Sequence, residues 1–113
     1  MKKYKDINNH QNVLAREYHQ SAPDMLNSFM AMHKVAMAEG ALSVKNKELI
    51  ALGIGIAARC DGCIGAHVQA ALQAGATREE LVETVNVAVV MGGGPSITYG
   101  TQALGAVDEF LAD

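Results

Sequence analysis

The chain has 113 residues, half of them apolar and 19% charged, with no Trp and a formal net charge of −3. With 9 Lys and Arg against 12 Asp and Glu, and no basic stripe, the composition excludes a nucleic-acid-binding surface. The length suits one domain over residues 1–113, and its Ala, Val, Leu, Ile and Met content exceeds what so small a chain hides alone, which predicts a helical homo-oligomer.

Helix signals run through the whole chain. Asp6 is placed to cap a first helix from Ile7 to about Gln20, with Val13, Leu14 and Tyr18 on its apolar face. A second starts near Pro23 and stops at Gly40, with the stripe Met25, Phe29, Met32, Ala36 at helical spacing. Ser43 caps a third, "VKNKELIALGIGIAARC", whose polar first turn gives way to an apolar run that reads as buried on all sides.

That run, "LIALGIGIAA" from Leu49 to Ala58, is about half the length of a membrane span. The N-terminus lacks the apolar core of a signal peptide, so the sequence predicts a cytoplasmic protein with no membrane partner.

A fourth helix begins between Asp61 and Cys63 and ends at a left-handed Gly75. Thr77 and Glu80 form a T-x-x-E capping box for a fifth, "REELVETVNVAVVM". Its valine-rich "VNVAVV" has strand-like composition, but the capping box and the flanking helices favour a helix. Gly92, Gly93 and Gly94 break it, and Pro95 opens a sixth. The fold class is all-α, a compact bundle of about six helices. "GGGPS" lacks the preceding strand, the lysine and the spacing of a phosphate loop.

The chemistry concentrates in "ARCDGCIGAH", residues 58–67, which holds both cysteines. Cys63 and His67 stand at i and i+4, one turn apart on one helix face. Cys60 lies just ahead of the first turn, close enough in a C-x-x-C to reach Cys63. A helix N-terminus favours thiolate over thiol and can lower a cysteine pKa from about 8.5 to between roughly 3.5 and 7.5. His67 can then take or return the proton. A base works best when a third group orients it, and an antiparallel return of the fourth helix onto the third makes Glu48 the candidate.

Other readings of the cluster stand beside this one. Cys60, Cys63 and His67 supply three metal ligands, and the usual second ligand pair is missing. A disulfide that only braces a helix start is unusual inside a cell, and small cysteines also serve as plain packing. A non-catalytic oligomeric scaffold is the alternative from another class.

Glu48, eleven residues, "CDGC" and then "IGAH" resemble the E…C-x-x-C-x-x-x-H signature of the alkyl hydroperoxidase D-like group, within the carboxymuconolactone decarboxylase family. The resemblance runs from about Met32 through "KNKELIALGIGIAARCDGCIGAHVQAALQAGATREELVETVNVAVVMGGGPSITYGTQAL", well over half the chain. It implies an all-helical fold that assembles as trimers or hexamers with the active site near subunit contacts. It further implies that Cys63 attacks a hydroperoxide, Cys60 resolves the sulfenic acid as a disulfide, and Glu48 and His67 relay the proton. A hydroperoxide or disulfide substrate and a thiol reductant protein would be the partners, with no metal and no cofactor, since sulfur itself carries the electrons.

One position departs from the pattern. The peroxidases that typify the group carry a histidine between the two cysteines where this chain has Gly62, which implies either a weaker proton relay or a general dithiol oxidoreductase with only slow peroxidase activity. The decarboxylases proper share the fold without the C-x-x-C pair, so lyase chemistry is the alternative on the same scaffold.

Among the remaining residues, His10 and His19 read as surface groups and His33 as a core-edge or solvent-facing one. Met25, Met30, Met32 and Met37 read as interface. Arg59 and Asp61 flank Cys60 with opposite charges whose effects partly cancel, and an inward-turned Arg59 would favour the thiolate.

Overall fold

Leu52, Ile56, Ile64, Val68, Leu81 and Val107 are completely removed from solvent, each worth about 1.5–3 kcal/mol of burial, and four helices supply them. The computed structural model describes residues 2–112. The helices are α1 (Tyr4–Ser21), α2 (Pro23–Met37), α3 (Val44–Ala57), α4 (Asp61–Gln73), α5 (Arg78–Gly92) and α6 (Gly94–Leu111), with no strand among the described residues. The core lies between α3, α4, α5 and α6, with Tyr4 of α1 closing one side. The "VNVAVV" stretch is helical within α5.

Several helix ends follow the sequence. Ser43 Oγ accepts the Asn46 N–H at 3.1 Å, and Gly75 is left-handed at φ 95°. Thr77 and Glu80 form the reciprocal box: Glu80 N–H donates to Thr77 Oγ1 at 3.2 Å and Thr77 N–H to Glu80 Oε1 at 2.9 Å. Lys45 pairs with Glu80 at 2.9 Å. These contacts hold the Glu80 carboxyl below its usual range, the Lys45 ammonium contributing most.

Other ends differ, each for a local reason. The first helix begins at Tyr4 rather than Ile7, and Asp6 lies inside its first turn. Its cap comes from α6, where the Glu109 carboxylate accepts the backbone N–H groups of Tyr4 at 2.8 Å and Lys5 at 3.2 Å. The second helix stops at Met37 instead of Gly40, because Lys47 Nζ donates to the carbonyls of Ala36 at 2.9 Å and Ala38 at 2.5 Å. The third ends at Ala57, releasing Cys60 to cap the next helix. Of the three glycines, Gly93 alone makes the break, at φ 71°.

The expectation that the apolar run of α3 is buried on all sides is overturned. Leu52, Gly55 and Ile56 face the core, but Ile50 and Ile54 are 50% and 64% exposed. The helix is apolar around its circumference, and one chain covers only part of it. The α2 stripe is likewise open, with no buried residue in the helix.

α1 crosses α4 at Gly65, which is buried. Asn8 Nδ2 donates to the Gly65 carbonyl at 3.1 Å. A Cβ on Gly65 would run into the Asn8 side chain and approach Tyr4 Cδ1 to 3.3 Å. Gly65→Ala should therefore cost about 1–3 kcal/mol of unfolding free energy in a denaturant titration. Gly105, inside α6, is the control, because a Cβ added there would meet nothing within 4 Å. Gly105→Ala should gain about 0.5–1 kcal/mol.

Candidate functional site

The dithiol sits where α3 turns back into α4. Arg59 takes the left-handed conformation at φ 58°, and this reversal lets the Cys60 N–H donate to the Gly55 carbonyl at 3.0 Å. Cys60 is then the N-cap of α4, and its Sγ accepts the Cys63 N–H at 3.1 Å. Sulfur thus occupies the place that a serine or aspartate oxygen usually takes. Cys60 and Cys63 are joined as a disulfide, with Cα atoms 5.2 Å apart, inside the range such a bridge requires.

The return of α4 along α3 brings Glu48 to His67. His67 Nδ1 and Glu48 Oε2 are 2.7 Å apart. The Glu48 side chain is 8% exposed and that of His67 21%. A carboxylate only accepts, so Nδ1 carries the hydrogen and donates it, which leaves Nε2 as the basic nitrogen. Glu48 thus makes the contact with His67 that an antiparallel return of the fourth helix onto the third allows, and all four candidate residues fall on one helical hairpin.

Gly55, which the sequence did not single out, underlies both cysteines. Its carbonyl holds Cys60, and a Cβ on it would lie 3.0 Å from Cys63 Cβ and 3.7 Å from the Cys63 carbonyl carbon. A glycine in the middle of an otherwise helix-favouring apolar run was the available signal, since it lowers helix propensity unless something must come close.

The charges flanking Cys60 part company. Arg59 is exposed and has no turn inward. Asp61 is held by the Tyr4 hydroxyl, which donates to Oδ1 at 2.9 Å, and by Lys2 Nζ at 3.0 Å. Burial, followed by the bond to Asp61, pushes the Tyr4 phenol well above its ordinary value. Of the histidines, His10 and His19 are exposed and His33 half-buried, and none joins this cluster. Among the described residues no group of three or more His, Cys, Asp or Glu side chains is arranged to hold a metal ion. Nor is any helix long and apolar enough to cross a membrane.

The family model described as the carboxymuconolactone decarboxylase family matches residues 23–107. The chain belongs to this family. A crystal structure of a family protein from Legionella pneumophila in its apo form superposes with a TM-score of 0.92 at 40% identity, over 95% of this chain and 96% of that one. A family protein from Thermotoga maritima superposes at 0.81 with 30% identity, over 98% and 92%. An uncharacterized protein of Cupriavidus necator is 37% identical over 82% of either chain. The family fold is thus present together with the C-x-x-C bridge.

Two outcomes test the site's construction. In Gly55→Ala, Cys63 must give way by a few tenths of an ångström and the Cys60 bond to residue 55 loosens. A strain of order 1 kcal/mol should make the disulfide roughly threefold to tenfold easier to reduce in a dithiol redox titration. Gly53→Ala, where the nearest neighbour is Thr84 Cγ2 at 3.8 Å, should leave that equilibrium unchanged. Tyr4 supplies a pH signature. A phenol whose folded-state pKa is raised contributes stability below its ordinary value of about 10, lost as pH rises beyond it. Tyr4→Phe should flatten the alkaline limb of a stability–pH profile.

Proposed function

We propose that the protein is a thiol-dependent peroxidase and disulfide oxidoreductase. The observation that carries the reading is a C-x-x-C disulfide at a helix N-cap with a carboxylate-oriented histidine one turn further along the same helix. A role in the antioxidative response has been suggested for the Thermotoga relative, which agrees with this chemistry.

In the reduced protein the Cys63 thiolate attacks the terminal oxygen of a hydroperoxide. The O–O bond breaks, sulfur is oxidised to the sulfenic acid, and the alkoxide leaves as the alcohol with a proton delivered through His67. Cys60 then attacks the Cys63 sulfur. The S–S bond forms, the S–O bond breaks, and hydroxide leaves as water with a proton from the same relay. One hydroperoxide and two thiols thus give one alcohol, one water and the disulfide.

The cap geometry supports this division of labour. The Cys63 N–H that points at Cys60 Sγ stabilises negative charge on Cys60, which suits it as resolving thiolate and as leaving group when a thiol reductant protein attacks Cys63. Glu48, buried and hydrogen-bonded to Nδ1, keeps His67 in the tautomer that accepts at Nε2. Gly62, between the cysteines, places no side chain in the relay, which favours exchange with disulfides alongside peroxide reduction.

Mass spectrometry of reduced protein given one equivalent of an organic hydroperoxide tests the reading. Wild type should lose the mass of two hydrogens to a Cys60–Cys63 disulfide, and Cys60→Ser should trap a sulfenic acid on Cys63. Glu48→Gln should slow the reaction by roughly 10²–10⁴-fold, the usual worth of positioned acid–base catalysis. Two thiols that stay unmodified would end the peroxidase reading. Absence of exchange with protein disulfides as well would leave the family's lyase chemistry as the alternative.

A further inference from the structure

Asp61 is the first residue of α4 and follows Cys60 inside the C-x-x-C, so its carboxylate belongs to the same turn as the sulfur pair. Once the bridge opens, that turn carries two anions, this carboxylate and a thiolate. Like charges so placed disfavour each other's ionised form. The dithiol chemistry gives Asp61 no part, yet both of its oxygens are engaged.

The Tyr4 hydroxyl donates to Oδ1 at 2.9 Å, and Lys2 Nζ lies 3.0 Å from Oδ1 and 3.0 Å from Oδ2. Lys2 is held from the other side as well. Its ammonium donates to Gln102 Oε1 at 2.5 Å and stands 5.0 Å from the centroid of the Tyr99 ring. Gln102 and Tyr99 belong to α6, so Lys2 bridges α4 to α6. A carboxylate, an amide oxygen and an aromatic face together make a seat for an ammonium. An exposed ion pair with one partner has little fixed geometry, whereas three partners define where this charge sits.

Tyr4 is 2% exposed. Burial, then the bond to Asp61, holds its phenol protonated well beyond the ordinary range, so it remains a donor to the carboxylate. Arg59, the cation on the other side of Cys60, is exposed. The counter-charge on Asp61 therefore comes from Lys2.

We propose that Lys2 and Tyr4 are positioning residues for the Cys60–Cys63 pair, acting through Asp61: they fix a counter-charge on its carboxylate and so set how readily the bridge is reduced. The inference rests on the dithiol reading in one respect, that the bridge opens and closes. On opening, a reductant dithiol gives up two electrons and is left as its own disulfide. The Cys60–Cys63 bond breaks, one of the reductant's protons passes to a sulfur and the other to water, and the second sulfur remains a thiolate. Stabilising that thiolate makes the pair more oxidising. One uncompensated unit charge near a protein surface changes such an equilibrium roughly threefold to tenfold.

Equilibration of the protein with graded mixtures of reduced and oxidised dithiothreitol tests this. Lys2→Gln should move the equilibrium roughly threefold to tenfold toward the disulfide, and Tyr4→Phe should move it the same way by about twofold. Lys2→Arg, which keeps the charge, should match wild type. Adding Asp61→Asn to Lys2→Gln should bring the equilibrium back, because no uncompensated carboxylate then remains. The Lys2→Gln shift should also shrink in 1 M salt, where the screening length is about 3 Å. Lys2 is exposed, and a shift caused by altered packing would answer neither to Arg, nor to salt, nor to Asp61→Asn. A Lys2→Gln titration that coincides with wild type overturns the proposal, and so does a shift that persists in the Asp61→Asn background. A wild-type bridge that no reductant mixture opens overturns the dithiol reading and this inference together. Shifted titrations in a protein inert to hydroperoxide sustain the inference and end only the peroxidase reading.

Discussion

The site depends on a single chain reversal between α3 and α4. Three residues, Ala58 to Cys60, separate the two helices, and the left-handed Arg59 directs the Cys60 N–H back to Gly55 while the Cys60 side chain caps the helix that follows. A non-glycine residue in that conformation is held there by its surroundings, here by bonds on both sides of it. Once the reversal is set, helix geometry fixes the rest. Cys63 follows Cys60 within one turn, His67 follows Cys63 one turn later, and α4 runs back along the face of α3 that carries Glu48.

The electrostatics of this hairpin contribute little to stability, which agrees with the thiol chemistry proposed above. Glu48 is a carboxylate with 8% of its side chain exposed, answered by one histidine. A buried ion or hydrogen-bonded pair of this kind does little for folding that an apolar pair would not do. Asp61, one residue from Cys60, would by contrast oppose a thiolate. The donors that hold it, Tyr4 from the start of α1 and Lys2 before it, reduce that opposition. The N-terminus of α1 therefore does more than cover the core. It compensates the negative charge that follows Cys60 in the chain, and α6 keeps it there through the Glu109 cap.

What the sequence disclosed and what it withheld divide by distance along the chain. Ser43, Gly75 and the Thr77–Glu80 box are local devices, complete within four residues, and they were legible. So was the alignment of Cys63 with His67, which needs only a helix. The start of α1 was misplaced because its cap lies 105 residues away on Glu109; Asp6 was the best local substitute and does not perform the task. Glu48 emerged as a candidate once an antiparallel hairpin was assumed, whereas Gly55 did not, because close approach between helices leaves no mark in sequence beyond the glycine itself. The apolar run of α3 misled in a different way. Hydropathy reports what a residue prefers, and Ile50 and Ile54 show that one chain need not satisfy that preference.

This last point bears on how α3 is used. Its inward face holds Glu48, Leu52, Gly55 and Ile56 against α4 and the core. Its outward face presents Ile50 and Ile54. The helix that seats the dithiol thus also carries an uncovered apolar face, and the two faces are separated only by its own diameter of about 10–12 Å. Close-packed elements pass small displacements on rather than absorb them. At Gly55 there is no slack to absorb one, since a single added carbon would already press on Cys63. A displacement of the outer face of α3 is thus mechanically connected to the position of the sulfur pair, and the glycine that permits the close approach is the point where that connection is tightest.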